Sequence, residues 1–130
     1  MLIRKHSEVK NVQWGNGTSH RFLLEADGMG YTLTDTVVKA GTKSLIEYEN
    51  HLEACYCIEG KGSVIEMDGT EHEIVPGTIY ALDKHDSHYL LASPDEDLRL
   101  VCMFTPALTG DEAHKFTESG LHSSVYSGDA

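Results

Sequence analysis

Residues 41–60, GTKSLIEYENHLEACYCIEG, decide the fold of this chain. Within this stretch Gly41, Glu47, Glu49, Glu53 and Gly60 have the spacing G-x5-E-x-E-x3-E-x6-G. Residues 77–88, GTIYALDKHDSH, form a second glycine-led segment that ends at His88. Carboxylate and imidazole groups are common metal ligands, so two separate segments each supply a candidate ligand.

The two segments have the spacing of the two cupin motifs, G-x5-H-x-H-x3-E-x6-G and G-x5-P-x-G-x2-H. Glu53 and His88 match metal-ligand positions of those motifs, whereas Glu47 and Glu49 stand where histidines are usual. The resemblance implies an all-β, cupin-type double-stranded β-helix, a jelly-roll barrel, with an altered metal site. His85 occupies the position that the motif gives to glycine, and we expect it to be exposed or to lie beside the ligands.

Length and charge restrict the class of protein. The 130 residues predict a single cupin domain over 1–130. The 21 acidic and 10 basic residues give a formal charge of −11, which disfavours nucleic acid as a partner. There is no apolar run long enough to span a membrane and no signal-like amino terminus, so we expect no membrane partner and a cytoplasmic location.

The cysteines are odd in number, and we expect reduced thiols. The pair Cys55-x-Cys57 suggests metal or redox chemistry, but on a strand both side chains simply point to one face. Packing in the core is therefore our interpretation of these thiols.

Extended segments recur between turn signals and no long helical period is present, so the chain is predicted to be all-β. The Asp68-Gly69 pair predicts a tight hairpin. Residues 106–130 are rich in Gly and Ser, and we expect a lid or a partly mobile tail there. The predicted strands are residues 21–25, 31–39, 44–48, 54–59, 62–67, 71–75, 78–81, 87–92 and 98–104.

Period-two alternation predicts which side chains face the interior. In residues 98–104 the apolar face ends at Phe104, which we expect inside the barrel. On the strand that follows residue 51, Glu53 shares a face with Cys55 and Cys57. An unpaired carboxylate in an apolar lining is costly, which favours a metal or a cation beside it.

The residues alone leave the further oxygen ligand open. Glu47 and Glu49 occupy ligand positions, but three glutamates with one histidine would surround a divalent ion with excess negative charge. Tyr80 is an alternative because a cation lowers the pKa of a phenol, although a core aromatic residue explains it equally simply. Alternation places the two glutamates on the face opposite Tyr48, so we expect neither to contact a metal.

Longer stretches resemble one family, ectoine synthase. They cover most of residues 18–114 and include DGMG at 27–30, NHLEA at 50–54, YALDKHDSHY at 80–89 and the FTP and LTG runs between 104 and 110. The resemblance implies an enzyme, a hydro-lyase that closes N-γ-acetyl-L-2,4-diaminobutyrate into ectoine, a compatible solute of osmotic stress. It also implies iron, Fe(2+), as the cofactor.

The resemblance carries site residues over position by position. It implies that Glu53, Tyr80 and His88 bind the metal. It implies substrate-binding positions at Arg21, Thr36, Tyr48, His51, Phe104 and Glu112, with Cys102 and His114 nearby.

The residue types suit a cyclisation. A metal would polarise the acetyl carbonyl, and an arginine such as Arg21 can hold the substrate carboxylate. Proton transfers remain, and His51, Glu112 and Tyr48 are the catalytic candidates. The sequence does not choose among these residues and a hydroxide on the metal.

One departure from the family concerns an aromatic residue. The family usually has tryptophan directly before the segment that matches Thr18-Ser19, whereas this chain has Gly17 there and Trp14 earlier. We expect the loop of residues 12–18 to bring the Trp14 indole to the substrate pocket. The alternative is that the indole packs outside the barrel and leaves one wall open.

Two functions remain at this point. The first is ectoine synthase, acting on a small-molecule substrate. The alternative is a non-catalytic or repurposed cupin that binds ectoine-like solutes or acts on another acylated diamino acid. We expect a homodimer in either case, because small β domains often cover their sheet edges by pairing.

Overall fold

The structure, a computed structural model, describes residues 1–112. Its two antiparallel sheets face each other, and this confirms the predicted all-β, cupin-type jelly-roll fold. One sheet has the order β1-β2-β3-β10-β5-β8 and the other has the order β4-β9-β6-β7. The strands are β1 Lys10–Gln13, β2 Gly17–Leu23, β3 Thr32–Val38, β4 Lys43–Ile46, β5 Leu52–Glu59, β6 Gly62–Glu66, β7 Glu71–Ile74, β8 Ile79–Leu82, β9 His88–Ala92 and β10 Leu98–Thr105.

Helical structure in residues 1–112 is limited to short 3₁₀ turns at His6–Glu8 and Glu25–Asp27. Within that range, no helix has the length and apolar character that a membrane crossing requires.

Alternation along the strands builds the core. On β10 every second side chain is buried, from Leu98 at 0 % exposure to Phe104 at 3 %, as the sequence predicts. The facing sheet contributes Ile46, Val64 and Leu90, which are also buried. Apolar side chains from both sheets therefore fill the space between them, and this burial is the main source of stability for the barrel.

One row of side chains crosses the inner face of the larger sheet. Tyr80 on β8 lies opposite Cys55 on β5, and Cys55 lies opposite Cys102 on β10. Cys102 in turn pairs with Thr34 on β3, and Thr34 pairs with Arg21 on β2. Because directly opposed residues point to the same face, five strands present one continuous row to the barrel interior.

The amino-terminal strands differ from the prediction. Strand β1 was not predicted, and β2 begins at Gly17 rather than at residue 21. β1 is polar and exposed, so it carries no alternation that a sequence can reveal, and it forms only by pairing with β2 at the edge of the sheet. Residue 25, assigned to a strand, instead begins a 3₁₀ turn that ends at Gly28, whose φ of 73° suits glycine.

The hairpin at Asp68-Gly69 is confirmed. β6 and β7 pair across it, and the Gly69 amide donates to the Glu66 carbonyl at 2.9 Å. Downstream of β10 the chain stays packed as far as it is described: the Leu108 amide donates to the Thr32 hydroxyl at 2.8 Å. Most of the segment predicted as a lid or tail, residues 113–130, lies outside the described residues.

Candidate active site

A cavity opens between the two sheets. Its empty volume is about 420 Å³, a figure that includes space open to solvent. Its walls combine aromatic, apolar and polar side chains. They are Trp14, Ser19, Arg21, Thr36, Ile46, Tyr48, Glu53, Cys55, Tyr80, Leu90, Leu100, Cys102 and Phe104.

Glu53 brings a carboxyl group into the apolar part of this cavity. It is 7 % exposed, and burial raises its pKa to about 8. Hydrogen bonds from the Cys55 and Cys102 thiols oppose the rise without cancelling it. The ligand atoms of these three residues all lie within 4.8 Å of one another, which is close enough for one metal ion to reach them.

Tyr80 lies in the cavity wall with this group, whereas His88 contacts Tyr80 but is not among the three residues whose ligand atoms lie within 4.8 Å of one another. Tyr80 lines the cavity, and burial raises the pKa of its hydroxyl well above its usual value. The His88 ring, 2 % exposed and supplied by the opposite sheet, contacts the Tyr80 ring edge-on with 6.0 Å between the ring centroids. His88 Nδ1 donates to the Asp86 carbonyl oxygen at 3.1 Å, so a neutral ring has its lone pair at Nε2.

These residues fit a divalent metal. A ring N–H that donates to a backbone carbonyl is the usual arrangement of a metal-binding histidine, because the bond fixes the ring and its tautomer. The ligand atoms close to the buried Glu53 carboxyl are the Cys55 and Cys102 thiols, so a cation bound there would favour the ionised form of Glu53. The chain thus offers oxygen donors from Glu53 and Tyr80 and a nitrogen donor from His88.

The sequence pattern indicates core packing for Cys55 and does not place it in the site. The structure places its thiol beside Glu53 and in the cavity wall. The signal was present, because alternation already put Cys55 on the same face as Glu53. What the sequence lacked was the pairing of β5 with β10, which brings Cys102 opposite.

An aromatic group forms the wall near the end of β10. The Tyr48 and Phe104 rings meet edge-on with centroids 5.3 Å apart, and His51 meets Phe104 in the same way at 6.4 Å. His51 Nδ1 donates to the Pro106 carbonyl oxygen at 2.8 Å, so the lone pair of a neutral ring is at Nε2. His51 is not among the lining residues, but its ring contacts the lining residue Phe104 and is therefore next to the cavity wall.

Arg21 and Glu112 form a buried ion pair at the polar side of the cavity. Arg21 Nη1 donates to the Gly110 carbonyl at 2.9 Å and lies 3.7 Å from the Glu112 carboxylate, while Nη2 donates to the Glu112 carbonyl. Burial acts to raise the pKa of Glu112, but N–H and O–H donors at Thr109 and Gly110 outweigh it and lower the pKa. Glu112 is therefore an ionised carboxylate held by several donors.

Trp14 lies in the cavity wall and is 5 % exposed. Its indole Nε1 donates to the Thr18 carbonyl at 3.2 Å, which closes the turn between β1 and β2. A Cβ at Gly17 would lie 1.8 Å from the Val37 carbonyl oxygen and 3.0 Å from the indole nitrogen. Glycine is required at 17 for this close approach, and the indole covers the place where a side chain at 17 would start.

The remaining predicted residues lie in different surroundings. Thr36 lines the cavity and shares a hydrogen bond of 2.9 Å with the Thr34 hydroxyl. Glu47 lies on the face away from the cavity and accepts a hydrogen bond from Ser87, and Glu49 is exposed on the same side. His85 is exposed, has a φ of 56° and donates to the Tyr48 carbonyl at 2.8 Å. His114 lies outside the described residues.

The positive φ of His85 explains the glycine of the general motif. The left-handed region is favourable for glycine and costs other residues strain. His85 therefore serves the turn before β9, which delivers His88 to the interior.

Comparison with known proteins gives a consistent result. The model of the family described as ectoine synthase matches residues 1–125. An L-ectoine synthase from Halalkalibacterium halodurans is 49 % identical over 122 residues, which cover 93 % of this chain and 89 % of that protein. One from Desulfatibacillum aliphaticivorans is 48 % identical over 121 residues, covering 88 % of this chain and 92 % of that protein.

Solved structures agree with the sequence comparison. The crystal structure of an ectoine synthase from P. lautus is similar with a TM-score of 0.80 and 45 % identity, and the match covers 85 % of this chain and 81 % of that chain. A polyketide cyclase from Streptomyces resistomycificus shares the fold at 19 % identity, with a TM-score of 0.70 and coverage of 81 % of this chain and 79 % of that chain.

Proposed function

This chain belongs to the ectoine synthase family, and we propose that its cavity closes N-γ-acetyl-L-2,4-diaminobutyrate into the cyclic amidine ectoine with loss of water. It is an enzyme, a carbon–oxygen lyase, and its substrate is a small molecule. The observation that carries the proposal is the family match over residues 1–125, together with a cavity lined by several residues that the sequence resemblance implies for substrate binding. A non-catalytic cupin is not favoured by these relatives.

We propose that Glu53, Tyr80 and His88 would hold a ferrous ion. Two oxygen donors and one imidazole nitrogen suit a borderline divalent metal, and the tautomer of His88 supports this role. When bound, such an ion would polarise the acetyl carbonyl and stabilise negative charge that develops on its oxygen.

The cavity walls would fold the substrate for ring closure. Trp14, Tyr48 and Phe104 provide apolar surfaces that exclude water. The Arg21 guanidinium lies in the polar part of the wall, where it can attract a substrate carboxylate while it keeps its bonds to the Gly110 and Glu112 carbonyls. The α-amine and the acetyl carbon belong to one flexible substrate molecule. Holding the substrate folded keeps these two atoms close enough to react. Positioning of this kind contributes much of the rate in intramolecular reactions.

We assign the general base to His51 among the three catalytic candidates. Its Nδ1–H is fixed by the Pro106 carbonyl, so Nε2 is the atom that accepts, directly or through one water, the proton lost by the attacking α-amine. The imidazolium then returns this proton to the former carbonyl oxygen, and the second proton of the departing water comes from a ring nitrogen as the C=N bond forms. Glu112 is a weaker base because its pKa is lowered, and its carboxylate is already engaged by neighbouring donors and by Arg21.

We also propose a homodimer that covers the outer face of the larger sheet. Tyr56, Ile79 and Met103 are 47 %, 63 % and 43 % exposed there, next to the edge strand β8. Exposed apolar residues beside an unpaired edge favour association with a second copy. Sedimentation analysis of the wild-type chain and of Ile79→Lys tests this, since the variant should be monomeric.

A cytoplasmic location is part of the same proposal. The three cysteines of the protein are free thiols, as expected in a reducing compartment. Fractionation of cells that express the full chain tests this location.

The experiment for the function uses the purified full chain, reconstituted with Fe²⁺ under anaerobic conditions and supplied with N-γ-acetyl-L-2,4-diaminobutyrate. Proton NMR should show the ectoine methyl signal in place of the acetyl signal. Glu53→Gln should abolish this conversion, whereas Glu66→Gln, at an exposed glutamate on β6, should not. A folded, iron-loaded wild-type chain that produces no ectoine would contradict the proposal.

A further inference from the structure

Cys55 and Cys102 are directly opposite each other on neighbouring antiparallel strands. Opposed residues in such a pair have Cα atoms about 4.5 or 5.5 Å apart, depending on the hydrogen-bonding pattern. Both distances lie inside the range of about 4.4–6.8 Å that a disulfide requires. The two Sγ atoms are within 4.8 Å of each other, so rotation of the side chains alone can bring them to bonding distance.

Both thiols also lie in the wall of the cavity. Each residue is at most 2 % exposed, so a large oxidant cannot reach them from the protein surface, but a molecule small enough to enter the cavity can. Hydrogen peroxide is of that size. The cavity therefore provides a path to a pair of sulfur atoms that the rest of the fold covers.

Cys57 provides an internal contrast. It lies on the same face of β5 and is 0 % exposed, but the residue opposite it on β10 is Leu100. Its thiol donates to the Glu59 carbonyl at 3.4 Å. Cys57 is thus a buried thiol of the same strand without a thiol directly across, whereas Cys55 has one.

We propose that Cys55 and Cys102 are a modification site. Hydrogen peroxide converts this pair of thiols on neighbouring strands reversibly to a disulfide inside the cavity. One sulfur attacks the O–O bond, becomes a sulfenic acid and releases the first water. The other sulfur attacks the sulfenic sulfur, releases the second water and closes the S–S bond. Two thiols lose two electrons and two protons, and one peroxide is reduced to two waters.

The modification acts on the proposed active site. Both sulfur atoms lie within 4.8 Å of a Glu53 carboxyl oxygen, and a disulfide has no S–H group to interact with that oxygen. The same change leaves no thiolate at either position that could contact a metal bound to Glu53. Oxidation therefore changes the surroundings of Glu53 and stops ectoine formation, a consequence that rests on the proposed function.

The test measures thiols first, because that readout does not depend on activity. Reduced full-length chain is treated with hydrogen peroxide, quenched, denatured and alkylated, and its intact mass is recorded. We expect the three thiols to fall to a single alkylatable thiol, with a mass lower by two hydrogens and a peptide that links positions 55 and 102. Dithiothreitol should restore all three thiols and the cyclisation activity.

Three variants complete the design, each checked by thermal unfolding. Cys57→Ala should lose both of its remaining thiols and keep its reduced-state activity. Cys55→Ala and Cys102→Ala should show no loss of two hydrogens. The proposal is overturned if the wild type keeps three alkylatable thiols, if the link involves Cys57, or if either of the latter two variants behaves as the wild type does.

The two proposals fail in different ways. A wild-type chain that forms the disulfide but makes no ectoine even when reduced would contradict the proposed function and leave the modification site intact. If the disulfide forms and the oxidised protein still cyclises the substrate as fast as the dithiol form, the claim that the modification stops the enzyme is overturned.

Discussion

Arg21 and Glu112 are in direct contact although 91 residues separate them in the chain. The arginine donates to the Glu112 carbonyl and lies 3.7 Å from its carboxylate, and both side chains are 1 % exposed. These contacts hold the segment after β10 against β2 at the polar side of the cavity. A buried ion pair of this kind is costly to break from one side, because the remaining charge stays buried.

Glu112→Gln should therefore reduce stability and disturb substrate binding together. We expect a loss of about 3–5 kcal/mol in the free energy of unfolding, the range for removing one partner of a buried pair. Urea unfolding measures this loss. Asp111→Asn is the matched control, since Asp111 forms an exposed pair with Lys10 and should change stability little. An unchanged stability with lost activity would instead support Glu112 as the base.

His51 is the proposed base, and His51→Gln should lower kcat by about 100- to 10,000-fold, the usual contribution of general acid–base catalysis. Bound iron should stay at the wild-type level, because His51 is not among the proposed ligands. Steady-state kinetics and metal analysis of the same sample check both statements. His72→Gln, at an exposed histidine paired with Glu66, should retain the wild-type rate; equal rates for both variants would reject the assignment.

His88→Ala should abolish both bound iron and ectoine formation. The reason is that this change removes the only nitrogen donor of the proposed ligand set. Inductively coupled plasma analysis of the reconstituted protein measures the iron. Full iron occupancy in the folded variant would show that the ligand set is different.

Glu47 and Glu49 supply the control for the metal site. They occupy histidine positions of the general cupin motif but lie on the face opposite Tyr48. Gln at both positions should leave the iron content unchanged. Loss of more than half of the iron would mean that the proposed metal site extends to this face.

Trp14→Ala should weaken productive substrate binding by about 1–3 kcal/mol, the scale for losing a large buried apolar contact. The effect should be found mainly in kcat/KM, because the indole forms a wall of the cavity. Trp14→Phe should recover part of the loss, since it keeps an aromatic surface. Unchanged cyclisation kinetics in the alanine variant would reject a role in substrate binding.

Asp27 provides a prediction for pH dependence. Arg4 donates to both of its carboxylate oxygens at 2.8 Å, and this hydrogen-bonded pair lowers the pKa of Asp27 to about 2 from 3.8. A lowered pKa means that the stabilisation is complete above pH 3.8 and is lost as the pH falls through 2.

Asp27→Asn should therefore lower the melting temperature at neutral pH, and its difference from the wild type should shrink as the pH is lowered through that window. Scanning calorimetry at a series of pH values measures it. Asp95→Asn, at an exposed loop position, serves as the control. A difference that stays constant down to the lowest pH would contradict the role of the Arg4 contact.

The barrel and its inward-facing residues can be predicted from the amino-acid sequence alone. Alternation and glycine spacing are local properties, so Phe104, Glu53 and the Asp68-Gly69 hairpin were predictable from a few neighbouring residues. The family resemblance added the positions of Tyr80 and Arg21, which spacing alone left open. Strand β1 escaped prediction because its polar, exposed residues carry no such pattern.

Contacts between residues of distant strands depend on the tertiary structure. Cys55 faces Cys102 only through the register of β5 with β10, and Glu112 reaches Arg21 only because β2 and the segment after β10 lie at the same end of the barrel. Trp14 lines the cavity because the turn between β1 and β2 folds its indole over Gly17. Register and loop packing depend on long-range contacts that one segment of sequence does not encode, since they are fixed by the joint burial of all the strands.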